Sequence, residues 1–231
     1  MIVVVGLAFE ARIAARTGSK VVCGGAGRDL AAEIHNAIDA DCHGLLSFGV
    51  AGGLHPDLAP GTCIVASAIV DGDQTFATDE DWSQRLLRTL PHSKAGVLAG
   101  TAGPVATSST KSALHRSTGA VAVDMESHVV ARVAADRRLP MTALRVVCDP
   151  AARGLPDMAL QSVRPDGTTD VFGLLRSLAR RPHHVPALIR VALDARAARA
   201  TLLQCGEALA PHVSLAQAGV AARPAGLRAA G

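Results

Sequence analysis

The stretch Ala120-Val-Ala-Val-Asp-Met-Glu-Ser-His-Val-Val-Ala-Arg-Val-Ala134 changes period in its middle. Ala120 to Val123 is an apolar run of the kind a buried strand shows. From Glu126 on, Val129, Val130, Val133 and Arg137 recur on one side of a helix. Asp124 and Glu126 stand at the handover. In an α/β sheet ligands bind just beyond the carboxyl ends of the strands, so two carboxylates stand where a ligand would arrive. A plainer reading accompanies this one: Asp124 caps the helix, and Glu126 favours its positive end.

Outward from this stretch the same strand-then-helix alternation repeats. Ile2–Val5 is a short β-branched run ending at Gly6, and Leu7 onward turns helical through about Arg16. Lys20–Cys23 and Leu45–Gly49 read as further strands, with an amphipathic helix from Asp29 to Asp39 between them. Thr62–Val70 and Ala95–Ala99 follow as strands, separated by a polar loop, Asp71–Asp81, and a surface helix carrying Trp82, Leu86 and Leu87. Ser108, Ser109 and Thr110 open a helix as a hydroxyl-rich cap. Met141–Cys148 is a clear buried strand. Helices are expected at about Thr169–Arg180 and Pro182–Leu209, the second burying Val185, Leu188, Ile189, Ala192, Ala195 and Leu202. The expected fold is a single α/β domain over residues 1–210, a central mixed twisted sheet flanked by helices. Residues 211–231, rich in Ala, Pro, Gly and Arg, read as a disordered tail.

Composition removes several function classes. The chain has 231 residues, 2% aromatics and a net charge of +3. Arginine is spread out rather than massed on one face, and no aromatics interleave with it, which argues against nucleic-acid binding. The five cysteines show no C-x-x-C spacing; this suits a reducing cytosol and provides no metal framework. The start of the chain has no signal-peptide pattern, so a cytoplasmic location is expected.

Several positions carry candidate chemistry. Glu10 is either a helix N-terminal acid or a carboxylate at the sheet's carboxyl edge. Gly25-x-Gly27 invites a dinucleotide reading, but Leu30 occupies the third glycine position, and helix and strand could not approach closely there. That turn, with Arg28 beside it, could still hold a phosphate; Arg12 could also serve, and either arginine could equally be a surface cation. Val50-Ala51-Gly52-Gly53 is either a tight turn or a place where a ligand meets backbone. Asp149, between a core strand and Pro150, is either an Asx turn or a site acid.

Four pieces then line up: Gly6-Leu7-Ala8-Phe9-Glu10, Gly49-Val50-Ala51-Gly52-Gly53-Leu54, Val123-Asp124-Met125-Glu126 and Arg145-Val146-Val147-Cys148-Asp149. In order and spacing they resemble the nucleoside phosphorylase family that includes the methylthioadenosine and S-adenosylhomocysteine nucleosidases. Gly-Leu-Ala-Phe-Glu-Ala-Arg together with Val-Asp-Met-Glu-Ser looks like the phosphorylase branch associated with hopanoid biosynthesis. The resemblance implies an enzyme that cleaves the N-glycosidic bond of a 5′-modified adenine nucleoside, adenosylhopane in that branch, by phosphorolysis. The alternative is hydrolysis of the methylthioadenosine type, and a third reading is a non-catalytic nucleoside-binding module.

The same resemblance implies the roles. Asp149 protonates the departing purine at N7, its neutral form favoured by burial. Glu126 accepts the ribose hydroxyls, with Met125 packed on the sugar. Ala51, Gly52, Gly53 and Cys148 complete the nucleoside site. Glu10 activates water, or phosphate sits near Gly6 and Arg28 instead. Val50 replaces a hydroxyl residue common in that loop, and Cys148 replaces the serine that usually precedes the acid. No cofactor is implied beyond inorganic phosphate as co-substrate. A homodimer or larger is expected. A lipid-linked substrate would bring the basic C-terminal helices, with Arg176, Arg180, Arg181 and Arg190, near a membrane surface. After the acid, Leu155, Met158 and Leu160 either line the 5′ pocket or pack as ordinary loop.

Overall fold

The computed structural model describes residues 1–25, 29–154 and 185–221. Arg28 and residues 155–184, which hold Leu155, Met158, Leu160, Arg176, Arg180 and Arg181, lie outside them, as do positions 222–231.

Eight strands are joined in one mixed sheet: β1 Ile2–Val5, β2 Lys20–Cys23, β3 Leu45–Gly53, β4 Cys63–Asp71, β5 Gln74–Ala77, β6 Lys94–Gly100, β7 Ala122–Asp124 and β8 Met141–Asp149. Among the described residues six α-helices surround them: α1 Ala8–Ala14, α2 Leu30–Ala37, α3 Glu80–Thr89, α4 Ser108–Thr118, α5 Ser127–Arg137 and α6 Val185–Ala221. Strand order is β2-β1-β3-β7-β6-β4-β5, and β8 pairs with both β3 and β4. The sheet therefore closes on itself through β3, β7, β6, β4 and β8, while β1, β2 and β5 extend it outside the ring. The pairings β3–β7, β4–β5 and β4–β8 are antiparallel, and the others are parallel.

Burial on both faces explains the strand sequences. Ile2, Val3, Val4 and Val5 are all buried, and alternate residues point to different cores. Ile2 and Val4 pack with Ile34 and Val130 under α2 and α5; Val3 and Val5 pack with Ile13, Phe48 and Leu202 under α1 and α6.

Three sequence expectations are corrected. The run Val50 to Gly53 is not a tight turn: it is the end of β3, still paired to β8 and then, by Gly52↔Val123 and Gly53↔Ala122, to β7. The register slips between Ala51 and Gly52, where β3 passes from one neighbour to the other. The expected polar loop at 71–81 contains β5, which folds back on β4 and sets Phe76 opposite Ile69; Gly72, at φ 58°, makes the turn. Finally, α6 runs through Pro211 to Ala221 and so enters the stretch read as tail. Of the expected stripe Leu202 is buried, and it is joined by Ala198, Cys205 and Leu209 rather than by Ile189, Ala192 and Ala195. Ile189 and Leu193 are 55% and 58% exposed, and Ala192 and Ala195 are exposed too. The face that packs is set by α1 and the sheet beneath it: Gly206 meets Ile13 so closely that a Cβ there would stand 2.7 Å from its Cγ2.

Candidate active site

The carboxyl ends of β1, β3, β7 and β8 converge on one cleft. Glu10, one turn into α1, reaches back over the helix start. Its Oε2 accepts hydrogen bonds from the backbone N–H of Gly6 at 3.0 Å and of Leu7 at 2.8 Å; its Oε1 accepts from Val50 N–H at 2.8 Å. The two readings of this residue are thus both realised: it is a helix-start acid, and it stands at the sheet's carboxyl edge. Burial raises its pKa; the Arg145 guanidinium and the three N–H donors oppose that rise.

Arg145 lies inside β8 and is 1% exposed. A charged residue in an otherwise apolar strand must be paired or pay a large desolvation cost. Here its Nη2 contacts Asp124 Oδ1 at 3.1 Å and Ser47 Oγ at 2.6 Å, its Nη1 contacts Glu126 Oε2 at 3.3 Å, and Nε donates to Ser127 Oγ at 3.3 Å. Burial by itself would lower its pKa; Asp124, Glu126 and Glu10 more than offset that, and the guanidinium is held charged. Three carboxylates share one cation. Burial chiefly, with Asp124 and Glu10 adding repulsion against the attraction of Arg145, pushes Glu126 up to about 7.

Asp124 realises both of its readings, since it lines the cleft, pairs with Arg145 and binds the start of α5. Its Oδ1 accepts from Glu126 N–H at 2.8 Å and Ser127 N–H at 2.6 Å, so it caps α5. Glu126 is the residue that this cap turns toward the cleft. It closes over Gly6, where an added Cβ would lie 2.6 Å from the Glu126 Cδ.

Asp149 ends β8 at 7% exposure. It faces Gly52, whose missing side chain leaves room: a Cβ would stand 3.4 Å from Oδ2. Cys148 Sγ–H donates to Oδ1 at 3.0 Å, and burial, with the neighbouring Asp149, keeps that thiol protonated by raising its pKa well above the ordinary value. Lys111 of α4, wholly buried, donates to Oδ2.

Of the residues singled out in the sequence, Gly6, Glu10, Ala51, Gly52, Met125, Glu126, Cys148 and Asp149 all line this cleft, which encloses about 610 Å³ of empty space, part of it open to solvent. Gly53 does not line it; it packs against Val147 and the Asp149 carbonyl. Arg12 is exposed at the end of α1 and is not in the cleft wall. Thr101, Pro104 and Val105, after β6, form a wall that had no motif to announce it. Two functional cations were also missed. Arg145 was visible as a charge inside an apolar strand. Lys111 was signalled by its helix, Ser108–Thr118, which has so few apolar residues that its inward face must bury something else; Lys111 is its one buried residue. No cluster of three or more His, Cys, Asp or Glu that could hold a metal forms among the described residues.

The arrangement offers a bound carboxylate at one end (Glu10), a hydroxyl acceptor in the middle (Glu126) with an exposed apolar Met125 beside it, and a carboxylate backed by an ammonium at the other end (Asp149). Comparisons with known proteins agree with this layout at the level of fold. The family model described as the phosphorylase superfamily matches residues 3–180. The chain matches no curated protein. Among solved structures, futalosine hydrolase of Helicobacter pylori strain 26695 superposes with a TM-score of 0.67 at 16% identity, covering 91% of this chain and 97% of that one. The 5′-methylthioadenosine/S-adenosylhomocysteine nucleosidase of Helicobacter pylori gives 0.66 at 14% identity, with 91% and 97% covered. Its counterpart from Neisseria meningitidis gives 0.65 at 16%, with 91% and 98% covered.

Proposed function

This chain belongs to the phosphorylase superfamily, whose enzymes cleave nucleoside glycosidic bonds, and within it we propose that it removes adenine from a 5′-substituted adenosine by hydrolysis. One observation carries the choice of water over phosphate. The N–H groups of Gly6, Leu7 and Val50, at a helix start and a Gly-rich strand end, are the donors an anion would use. All three are already bound to Glu10. An internal carboxylate fills the anion site, and a phosphate entering it would meet Glu10, Glu126 and Asp124 as well.

In this reading the glycosidic bond breaks toward an oxocarbenium-like sugar. Glu126 accepts a ribose hydroxyl, and Met125 packs on the sugar face. Glu10 takes a proton from the attacking water, a role suited to a carboxylate whose basicity burial has raised. Asp149 delivers a proton to purine N7. Gly52 and Ala51 let the nucleoside lie against the backbone of β3. The relatives whose names specify methylthioadenosine and S-adenosylhomocysteine support a 5′-substituted substrate. Leu7, Pro104, Val105 and Met125 in the cleft wall favour an apolar 5′ group, and the Gly-Leu-Ala-Phe-Glu-Ala-Arg resemblance extends this to a triterpenoid such as that of adenosylhopane. A homodimer acting in the cytoplasm is part of the same proposal.

The test is adenine release from adenosine, methylthioadenosine and a 5′-alkyl adenosine with a long chain, with and without phosphate. Release that is independent of phosphate and yields free sugar is expected, fastest with the long chain. Sugar 1-phosphate as product would overturn the choice of nucleophile. Asp149→Asn should lower turnover by on the order of 10²–10⁴-fold, the usual worth of a positioned acid, with its melting temperature little changed; near-normal turnover in that variant would remove the mechanism.

A further inference from the structure

Lys111 has no place in the mechanism above, and its burial demands one. Its side chain is 0% exposed. Thr107 caps α4 by accepting from Thr110 N–H at 3.1 Å, and that cap sets the helix so that Lys111 points at the end of β8. There Nζ donates to Asp149 Oδ2, to the carbonyl of Pro150 at 3.0 Å and to the carbonyl of Arg153 at 3.1 Å. All three ammonium protons are used. An apolar side chain of similar length would fill this space at less cost than a buried ammonium.

The hydrogen-bond pattern around Asp149 shows which donors stand within its reach. Oδ2 accepts from Lys111 and Oδ1 accepts from the Cys148 thiol. Each oxygen of Asp149 thus has a donor of its own, and the Lys111 ammonium is the cationic one. Cys148, whose thiol burial holds protonated, faces this end of the site, and Glu10 acts on it only from a distance. Cys148 is a poor donor beyond its hydrogen bond, and Glu10 faces the sugar end.

We propose that Lys111 is a positioning residue that holds the catalytic proton and passes it through Asp149 to the departing purine. The inference rests on the nucleosidase reading. As C1′–N9 breaks, its electron pair goes to the purine, and N7 takes a proton from Asp149. Asp149 hands on the proton that it receives from Lys111 in the same step, so Asp149 ends in the state in which it began and Lys111 becomes a neutral amine. The attacking water gives its proton to Glu10. One proton is consumed and one released, and solvent exchange restores Lys111 and Glu10 after the products leave. An ammonium is a weaker acid than a carboxylic acid, so it keeps its proton until the purine becomes anionic. The carbonyls of Pro150 and Arg153 hold the amine in place in either state.

The experiment compares two substrates: a 5′-alkyl adenosine with a long chain, whose leaving group needs the proton, and 4-nitrophenyl riboside, whose leaving group does not. In Lys111→Met the ratio of adenine release to nitrophenolate release should fall by on the order of 10²-fold, the low end for general acid catalysis. Its optimum for adenine release should also move to lower pH, because Asp149 must then keep its own proton. Lys111→Arg keeps the charge but cannot release a proton, so it should show the same fall in the ratio; it also decides the matter if Lys111→Met does not fold. Parallel loss of both activities in a folded Lys111→Met would make Lys111 merely structural. A wild-type ratio or optimum in Lys111→Arg would show that charge alone suffices; either result overturns the inference. Wild-type protein that releases neither product would instead overturn the nucleosidase reading itself.

Discussion

Glu126 shows how much one residue's surroundings decide. In the chain it is an acid at a helix start. In the fold it is half-buried beside Asp124, Glu10 and Arg145, and its carboxyl is pushed up to about 7. Two consequences follow, with opposite signs. The ionised form accepts ribose hydroxyls, so kcat/KM should rise as pH passes upward through about 7. Glu126→Gln should flatten that limb; an unchanged limb in the variant would assign it to another group. For stability the direction reverses. A carboxyl whose pKa is raised on folding contributes stability that is complete below its unfolded value and lost as pH climbs through the folded one. Urea midpoints in the wild type should therefore drift down between about pH 4.5 and pH 7, less so in Glu126→Gln.

The elements place these groups by close approach. The end of β3 passes so near the cluster that Gly49 touches it: a Cβ there would lie 2.5 Å from Glu10 Oε1 and 2.7 Å from Arg145 Nη1. Helix α1 brings Glu10 to that point because its first turn is closed by Glu10 itself. Gly49→Ala should leave a folded protein whose Glu10 and Arg145 are displaced. A misplacement of about 1 Å costs on the order of 10²-fold in rate, and that is the loss expected in kcat. Wild-type kcat in this variant would mean that the cluster can shift without penalty. The Gly-rich run was legible in the chain as a place of close approach. That it is a strand, and that its neighbours are an acid and a guanidinium, was not, because its partners come from 40 and 95 positions away.

At the scale of the molecule, β8 closes the ring between β3 and β4 while α6 covers the face opposite α2 and α5. Leu202, 0% exposed, is packed with Val3, Phe48 and Leu144 in one core cluster, and Cys205 meets Cys63 at 3.6 Å. Leu202→Ala should cost about 2–5 kcal/mol, as for other buried leucines, read as a fall in denaturant midpoint. A loss under about 1 kcal/mol would mean that α6 is not part of the cooperative core. None of the helices among the described residues is long and apolar enough to cross a membrane.

Periodicity and local chemistry determined the α/β class, the mixed sheet, most strands to within a residue or two, the helix starts near Asp29 and Asp79, a hydroxyl cap one residue from its place at Thr107, and the residues of the cleft that stand at strand ends. These depend on neighbours within a turn or a pleat, and the chain carries them openly. Tertiary structure alone decided the rest: the closure of the sheet, the short strand at Gln74–Ala77, the packed face of α6, the sharing of Arg145 by three carboxylates and the pairing of Lys111 with Asp149. Each joins groups far apart in sequence, and the free energy of a buried charge depends on what the fold brings within a few ångströms of it. A lysine read along the chain is a surface residue by default; the same lysine sealed against a carboxylate becomes a candidate holder of the reaction's proton.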